Sequence, residues 1–322
     1  MMSRQSTVNS RQWKRALIAG LCGVVTAVIG VGSPAFAKKI EVPKETKGSD
    51  PAPDTAAARD LYKKGRYEEA IRQSKLALGR DERYVPALVV MANSYFHLKK
   101  YELSTSIAEM AKAIDPNNGE IYNLIGFIAL TRDDRISATA AFKKATEVKE
   151  DFGPAWLNLS AQYLQSKNYD GAIEAAEKAV KLEPNSATAY MNLGAAYRGK
   201  LRYKDADAAF KKALDRDKSS SDAYFNLGIL YLDAKEYPGI DLIAKENFAI
   251  NYLNRYKQLA GAKLTKDDPA DLYIEEAKKA IDREQKKVER LKKQQERNAA
   301  KAAADAAKAA AAPPAAPAEQ KK

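Results

Sequence analysis

One histidine, His97, and one cysteine, Cys22, are all that this chain offers for imidazole or thiol chemistry. A nucleophilic triad would have to run through His97, and no nucleophile motif accompanies it. Zinc sites built from His and Cys clusters need more ligands than the chain owns. Neither a GxxxxGK[ST] phosphate loop nor a strand-following GxGxxG is present. Paired carboxylates (Glu68-Glu69, Asp133-Asp134, Asp267-Asp268, Glu275-Glu276) are chain neighbours, so on a helix they point apart and read as solvated faces and caps. What remains is recognition chemistry. Asn158, Asn192 and Asn226 recur every 34 residues. An amide carries a donor and an acceptor together, so a row of them can pair with both polar groups of an extended peptide backbone. The chain is expected to be noncatalytic and to need no cofactor or metal.

The same spacing runs through the residues that must position those amides. Ala58, Ala92, Gly126, Ser160, Gly194 and Gly228 return every 34 residues. Ala70, Ser104, Ala138, Ala172 and Ala206 follow twelve residues later, and Ala77, Ala111, Ala145, Ala179 and Ala213 seven beyond those. A unit of that length holds two short helices and a turn and is too short to fold alone. Small residues let helix backbones approach, while Tyr95, Phe142, Tyr163, Tyr197, Phe210 and Tyr231 fill the gaps between them. The pattern predicts stacked helical hairpins.

Two stretches carry a known signature: Tyr190, Leu193, Gly194, Tyr197, Tyr203, Ala206, Phe210, Ala213, and Trp156, Leu159, Tyr163, Tyr169, Ala172, Ala179, Pro184. With these the chain resembles the tetratricopeptide repeat (TPR) family. The resemblance implies an all-α fold, a right-handed superhelix of about six hairpins over residues 53–258, with units near 51–84, 85–118, 119–152, 153–186, 187–220 and 221–258. The pattern departs at Ser74 and Glu82 in the first unit, at Arg135 in the third where Tyr is usual, and at Pro238-Gly239 in the sixth. Terminal repeats are often atypical because one face meets solvent.

In that family the first helix of each repeat lines an inner groove. The resemblance therefore places Asn158, Asn192 and Asn226 along the groove, and in the earlier repeats Val89, Val90, Asn93 and Phe96, then Asn123, Leu124, Phe127 and Leu130. The second set is largely apolar and suits a partner helix or the side chains of a bound strand. Two alternatives stay open: the amides serve the fold, and several apolar members face neighbouring helices. The cationic clamp for a C-terminal carboxylate is not expected, since Leu124 stands where a cation is required.

Residues 1–37 combine Arg4, Arg11, Lys14 and Arg15, no acid, an apolar run from Ala16 to Gly32, and Ala35-Phe36-Ala37. This reads as a secretory signal cut before Lys38. Retention as an anchor, or lipidation at Cys22, are the alternatives, although Leu21 stands where lipoprotein signals want Gly or Ala. Cleavage lowers the net charge from +12 to +8. The remaining charges are interspersed, which argues for a solvated surface rather than nucleic-acid binding. Residues 38–52 read as a flexible leader. Gly261 closes the last repeat helix, Asp268 and Pro269 start another, and residues 259–312 form a linker and a long charged, then Ala/Lys-rich, helix. Its first half places Ile274, Ala277, Ile281, Val288 and Leu291 on one stripe interrupted by Glu284, suited to capping the last repeat or to pairing with another helix. Pro313, Pro314 and Pro317 leave 313–322 as a disordered tail.

The expected protein is a periplasmic or secreted scaffold that binds other envelope proteins as peptides or helices, with oligomerisation through the C-terminal helix open. Its layout also resembles, more loosely, the TPR component of the myxobacterial adventurous gliding machinery. A pilotin-like role in assembling a secretin or pilus is a neighbouring reading. The alternative class is a tether to an envelope polymer or membrane surface through the basic C-terminal helix.

Overall fold

A computed structural model describes residues 50–311, and the expected signal, most of the expected leader and the expected tail lie outside them. The described residues form two compact units, divided after Ala223.

The first unit is five helical hairpins. First helices are α1 (Ala52–Lys63), α3 (Val85–His97), α5 (Gly119–Thr131), α7 (Gly153–Gln165) and α9 (Ala187–Gly199). Second helices are α2 (Tyr67–Arg80), α4 (Tyr101–Ile114), α6 (Arg135–Val148), α8 (Tyr169–Leu182) and α10 (Tyr203–Arg216). Every second helix starts 34 residues after the last, so the sequence period is the structural one. α1 begins at Ala52 with Pro53 in its first turn, which takes the last residue of the expected leader into the array.

Each hairpin turns on one left-handed residue, Gly65, Lys99, Asp133, Lys167 or Leu201, at φ between 55 and 74°. The next residue donates its N–H five positions back, as Lys100 does to the Tyr95 carbonyl at 2.9 Å and Arg202 to Tyr197 at 2.9 Å. That 6→1 bond satisfies an orphan carbonyl at the helix end and fixes the exit direction. Only the first turn uses glycine, so four turns hold a side chain in a conformation it resists.

Ala58, Ala70, Ala77, Ala92, Ala138, Ala172, Ala206 and Ala213 are fully buried, as the three small-residue registers require. Ser104, standing where the others have Ala, donates its hydroxyl to the Ala92 carbonyl at 2.8 Å. The large residues Phe142 and Phe210 are fully buried too.

The second unit contains most of α11 (Ser221–Asp233), then α12 (Leu242–Ala260) and α13 (Ala270–Ala311). Pro238-Gly239 make a tight turn closed by a bridge between Tyr237 and Ile240, with Gly239 at φ +87°. Asp241 then caps α12 by accepting from the Ala244 N–H at 2.7 Å. Lys245 is buried: its ammonium donates to the Ala234 carbonyl at 2.8 Å, just past the end of α11, and pairs with Glu246 at 3.0 Å. A cation there complements the negative end of the helix dipole. α12 stops at Gly261, φ +49°, and α13 starts where Asp268 accepts from the Ala270 N–H at 3.0 Å and from the Tyr256 hydroxyl at 2.6 Å. The start of α13 packs down: Ala270 and Ile274 are buried with Leu253, against Phe225, Leu232 and Tyr256. Val288 and Leu291 are 52% and 49% exposed, so the stripe is a cap over its first part and unpartnered beyond.

Candidate partner-binding face

Six of the eleven residues expected to line a groove are half-buried: Asn93, Phe96, Asn123, Phe127, Leu130 and Asn158. They lie on α3, α5 and α7, successive first helices of the first unit. Phe96 and Phe127 approach with ring centroids 6.0 Å apart, and Phe127 sets its edge on the buried Phe142 at 5.4 Å. Leu130 and Phe127 border the same cluster as Trp156 and Tyr163. Val89, Val90 and Leu124 fall elsewhere: each is buried at 5% exposure or less, packed between helices. Their positions rotate inward because a helix with so much apolar surface must bury more than one face.

The asparagines behave differently from an open ladder. Asn192 is 6% exposed, and its amide donates to the Leu157 carbonyl at 3.3 Å and the Ser160 hydroxyl at 2.8 Å. Asn158 donates to Asn123 Oδ1 at 2.8 Å. Both amides thus reach back one repeat, to a residue 35 positions earlier. Asn93 donates to the Val89 carbonyl of its own helix at 2.9 Å. Asn226, in the second unit, is 7% exposed. An amide spent inside the array has little left for a ligand, so the peptide-reading ladder is corrected at Asn192 and Asn226. Asn123 and Asn158 keep partly exposed surface.

His97 ends α3, and the histidine reads as an anchor of the first hairpin. Its ring stacks on Tyr67 at 4.7 Å and 4° interplanar, and Nε2 is 2.9 Å from the Tyr62 hydroxyl. Burial holds its pKa below the ordinary value, and burial first, then the Tyr67 charge, raises that of Tyr62. No acid or nucleophile joins the cluster in these contacts.

A second concavity was not anticipated. Between α6 and the end of α7 lies an open cleft of about 470 Å³, lined by Arg135, Ile136, Lys143, Tyr163 and Gln165 among others. Ile136 is 86% exposed beside it. The equivalent place one repeat later explains the opening. There Tyr169 lies so close to α9 that a Cβ on Gly199 would come within 2.3 Å of its ring. Arg135 and Gln165 replace that Tyr–Gly pair, and no ring fills the gap. The departure at Arg135 was the legible signal.

Known proteins give the same reading. Residues 161–200 match the family described as TPR repeat, and residues 187–220 and 209–240 match tetratricopeptide repeat families. These are tetratricopeptide repeats. The tetratricopeptide fold is also shared with solved structures at low identity. One is a Pseudomonas aeruginosa pilF structure: TM-score 0.57, 16% identity, covering 70% of this chain and 96% of that one. Another is PilW, described as a widely conserved type IV pilus biogenesis factor: 0.54, 20% identity, 67% and 95%. A third is the Cut9-Hcn1 complex of APC/C: 0.57, 16% identity, 71% and 42%. At these identities the likeness concerns the fold. No curated protein matches the chain. Proteins of this repeat type mediate contacts between proteins, and that coarse function applies here.

Proposed function

We propose that the chain is a noncatalytic adaptor of the bacterial cell envelope that holds partner proteins on the half-buried face of its second to fourth repeats. One observation carries the reading. Phe96, Asn123, Phe127 and Leu130, on two successive first helices, each keep partial exposure, and the rings of Phe96 and Phe127 meet at 6.0 Å. A partner helix or strand that covered those rings would gain on the order of 25 cal/mol for each Å² of apolar surface removed from water. Envelope placement rests on the signal-like pattern of residues 1–37. A place in a motility or pilus-assembly machine is the finer form of the proposal. Its support is the loose resemblance to the gliding component and the fold shared with a pilus biogenesis factor.

The test is site-specific photocrosslinking in the native cell, from Asn123 on this face and from Lys144 on the exposed side of α6. Adducts to a discrete partner from Asn123 and none from Lys144 are expected. Adducts from Lys144 alone would move the binding face elsewhere. An envelope fraction devoid of the protein would remove the envelope placement.

A further inference from the structure

α13 carries a second periodicity, opposite its apolar stripe. Taking Ile281 and Val288 as first positions of successive heptads, the third positions are Arg283, Arg290 and Arg297, and the sixth are Lys279, Lys286 and Lys293. Steps of four and three residues keep these six on one arc of the helix. Between 279 and 297 no acid and no apolar residue stands on that arc, and all six cations are exposed. At 1.5 Å per residue the row is about 27 Å long. Lys301 extends it.

The neighbouring acids distinguish the two kinds of cation. Asp282 and Glu289 lie one position before the arginines and pair with Lys286 at 2.8 Å and Lys293 at 2.7 Å. All four side chains are more than half exposed, so these pairs are screened and weak. Arg283 donates to the Lys279 carbonyl at 3.1 Å. Arg290 and Arg297 have no carboxylate at ion-pair distance among the described residues. An arginine fork matches phosphate oxygens two at a time, where a lysine offers a point charge.

We propose that this row docks α13 onto an anionic phospholipid bilayer surface. Complementary charge is the argument, and the shape of the row selects the partner. A folded protein partner would need apolar contact to pack against, and the arc has none. Duplex nucleic acid could meet the same charges, and sequence readout would add polar side chains to the row, of which the arc has none, so binding to it is an outcome of the test. A planar layer of phosphate headgroups meets a single file of arginines and lysines along its whole length. Each cation near such a surface adds attraction that fades within a Debye length. The inference uses α13 alone and is independent of the face on α3, α5 and α7.

The experiment uses the chain from Lys38 onward, which contains every described element without the apolar run of residues 16–32. Co-sedimentation is measured with phosphatidylcholine vesicles and with phosphatidylcholine–phosphatidylglycerol vesicles. R283Q/R290Q/R297Q keeps helix propensity while removing three charges. The matched control, K178Q/K204Q/K218Q, removes three exposed lysines elsewhere. Binding to the anionic vesicles only is expected, weakened about a hundredfold by the arginine variant, much less by the control, and reduced by salt. Equal binding to neutral vesicles, or equal loss in the two variants, overturns the proposal. So does binding to heparin or duplex DNA without binding to the anionic vesicles. Circular dichroism of the variant confirms that α13 is still helical.

Discussion

Gly126 and Phe142 occupy a single space: a Cβ on Gly126 would lie 2.5 Å from Cε1 of Phe142. Gly194 and Phe210 repeat the relationship at 2.6 Å. In the hairpins between and before them the paired registers carry Ala92 with Ala108, Ser160 with Ala176 and Ala58 with Ser74. Thus a ring at the later position goes with Gly sixteen residues earlier, and Ala or Ser at the earlier position goes with a small residue at the later one. Gly126→Ala gains helix propensity of about 1 kcal/mol and loses more to overpacking, typically 1–3 kcal/mol. Phe142→Ala should cost about 3–5 kcal/mol. In the double variant the two losses should fall short of their sum, because the new methyl enters the space the ring left. Additive losses in denaturant unfolding would show that the two residues do not share that space.

Asn192 is predicted to matter for stability before affinity. Its amide ties the fifth repeat to Leu157 and Ser160 of the fourth, so Asn192→Ala removes that tie and leaves the Ser160 hydroxyl donating to the Leu157 carbonyl at 2.7 Å. The loss should be about 0.5–1.5 kcal/mol, felt mainly by those two repeats because stability in such arrays passes between neighbours. Amide exchange of the chain and its variant can resolve this. Unchanged protection with lost partner capture would return Asn192 to the role of a ligand contact.

Hairpin boundaries were legible because period and turn positions are local properties. The start of α13 was legible because Asp268-Pro269 is a local signal. The long-range spending of polar groups was not. Periodicity identifies Asn158, Asn192 and Asn226 as equivalent, and leaves open which neighbour consumes the amide. Likewise Val89 and Phe96 share one helix and one hydrophobic character, and only the angle at which the next hairpin docks buries the first and leaves the second half-covered. The basic character of the C-terminal helix was legible as a candidate tether, and the helical bounds of α13 add that six of its cations share one arc.

The left-handed turns give a stabilising substitution. Leu201 sits at φ +59° with its side chain 69% exposed, so it bears the backbone cost and recovers little by burial. Leu201→Gly removes a penalty of about 1–2 kcal/mol, offset in part by the larger unfolded-state entropy of glycine. A net rise of up to about 1 kcal/mol is expected, visible as a higher denaturant midpoint at unchanged slope. A fall in the midpoint would mean that the Leu201 side chain contributes more than its exposure suggests.

His97 makes the first hairpin sensitive to acid. Burial disfavours the imidazolium and lowers the folded-state pKa below the ordinary value of 6.5, so the unfolded chain binds a proton more readily than the folded one. Stability therefore rises with pH across that window. The contribution is complete above the ordinary histidine value and is lost as pH falls from there through the depressed folded value. Protonation also makes Nε2 a donor, so that the Tyr62 hydroxyl 2.9 Å away must then accept from it. His97→Gln removes the titration while keeping an amide at the helix end. Thermal unfolding at pH 7 and pH 5 should show a larger drop for the unaltered chain than for His97→Gln, with amide protection lost first in α1 and α2. A smaller drop for the unaltered chain would mean that the imidazolium gains more from stacking on Tyr67 than it loses to burial, and the sign of the histidine's contribution would be reversed.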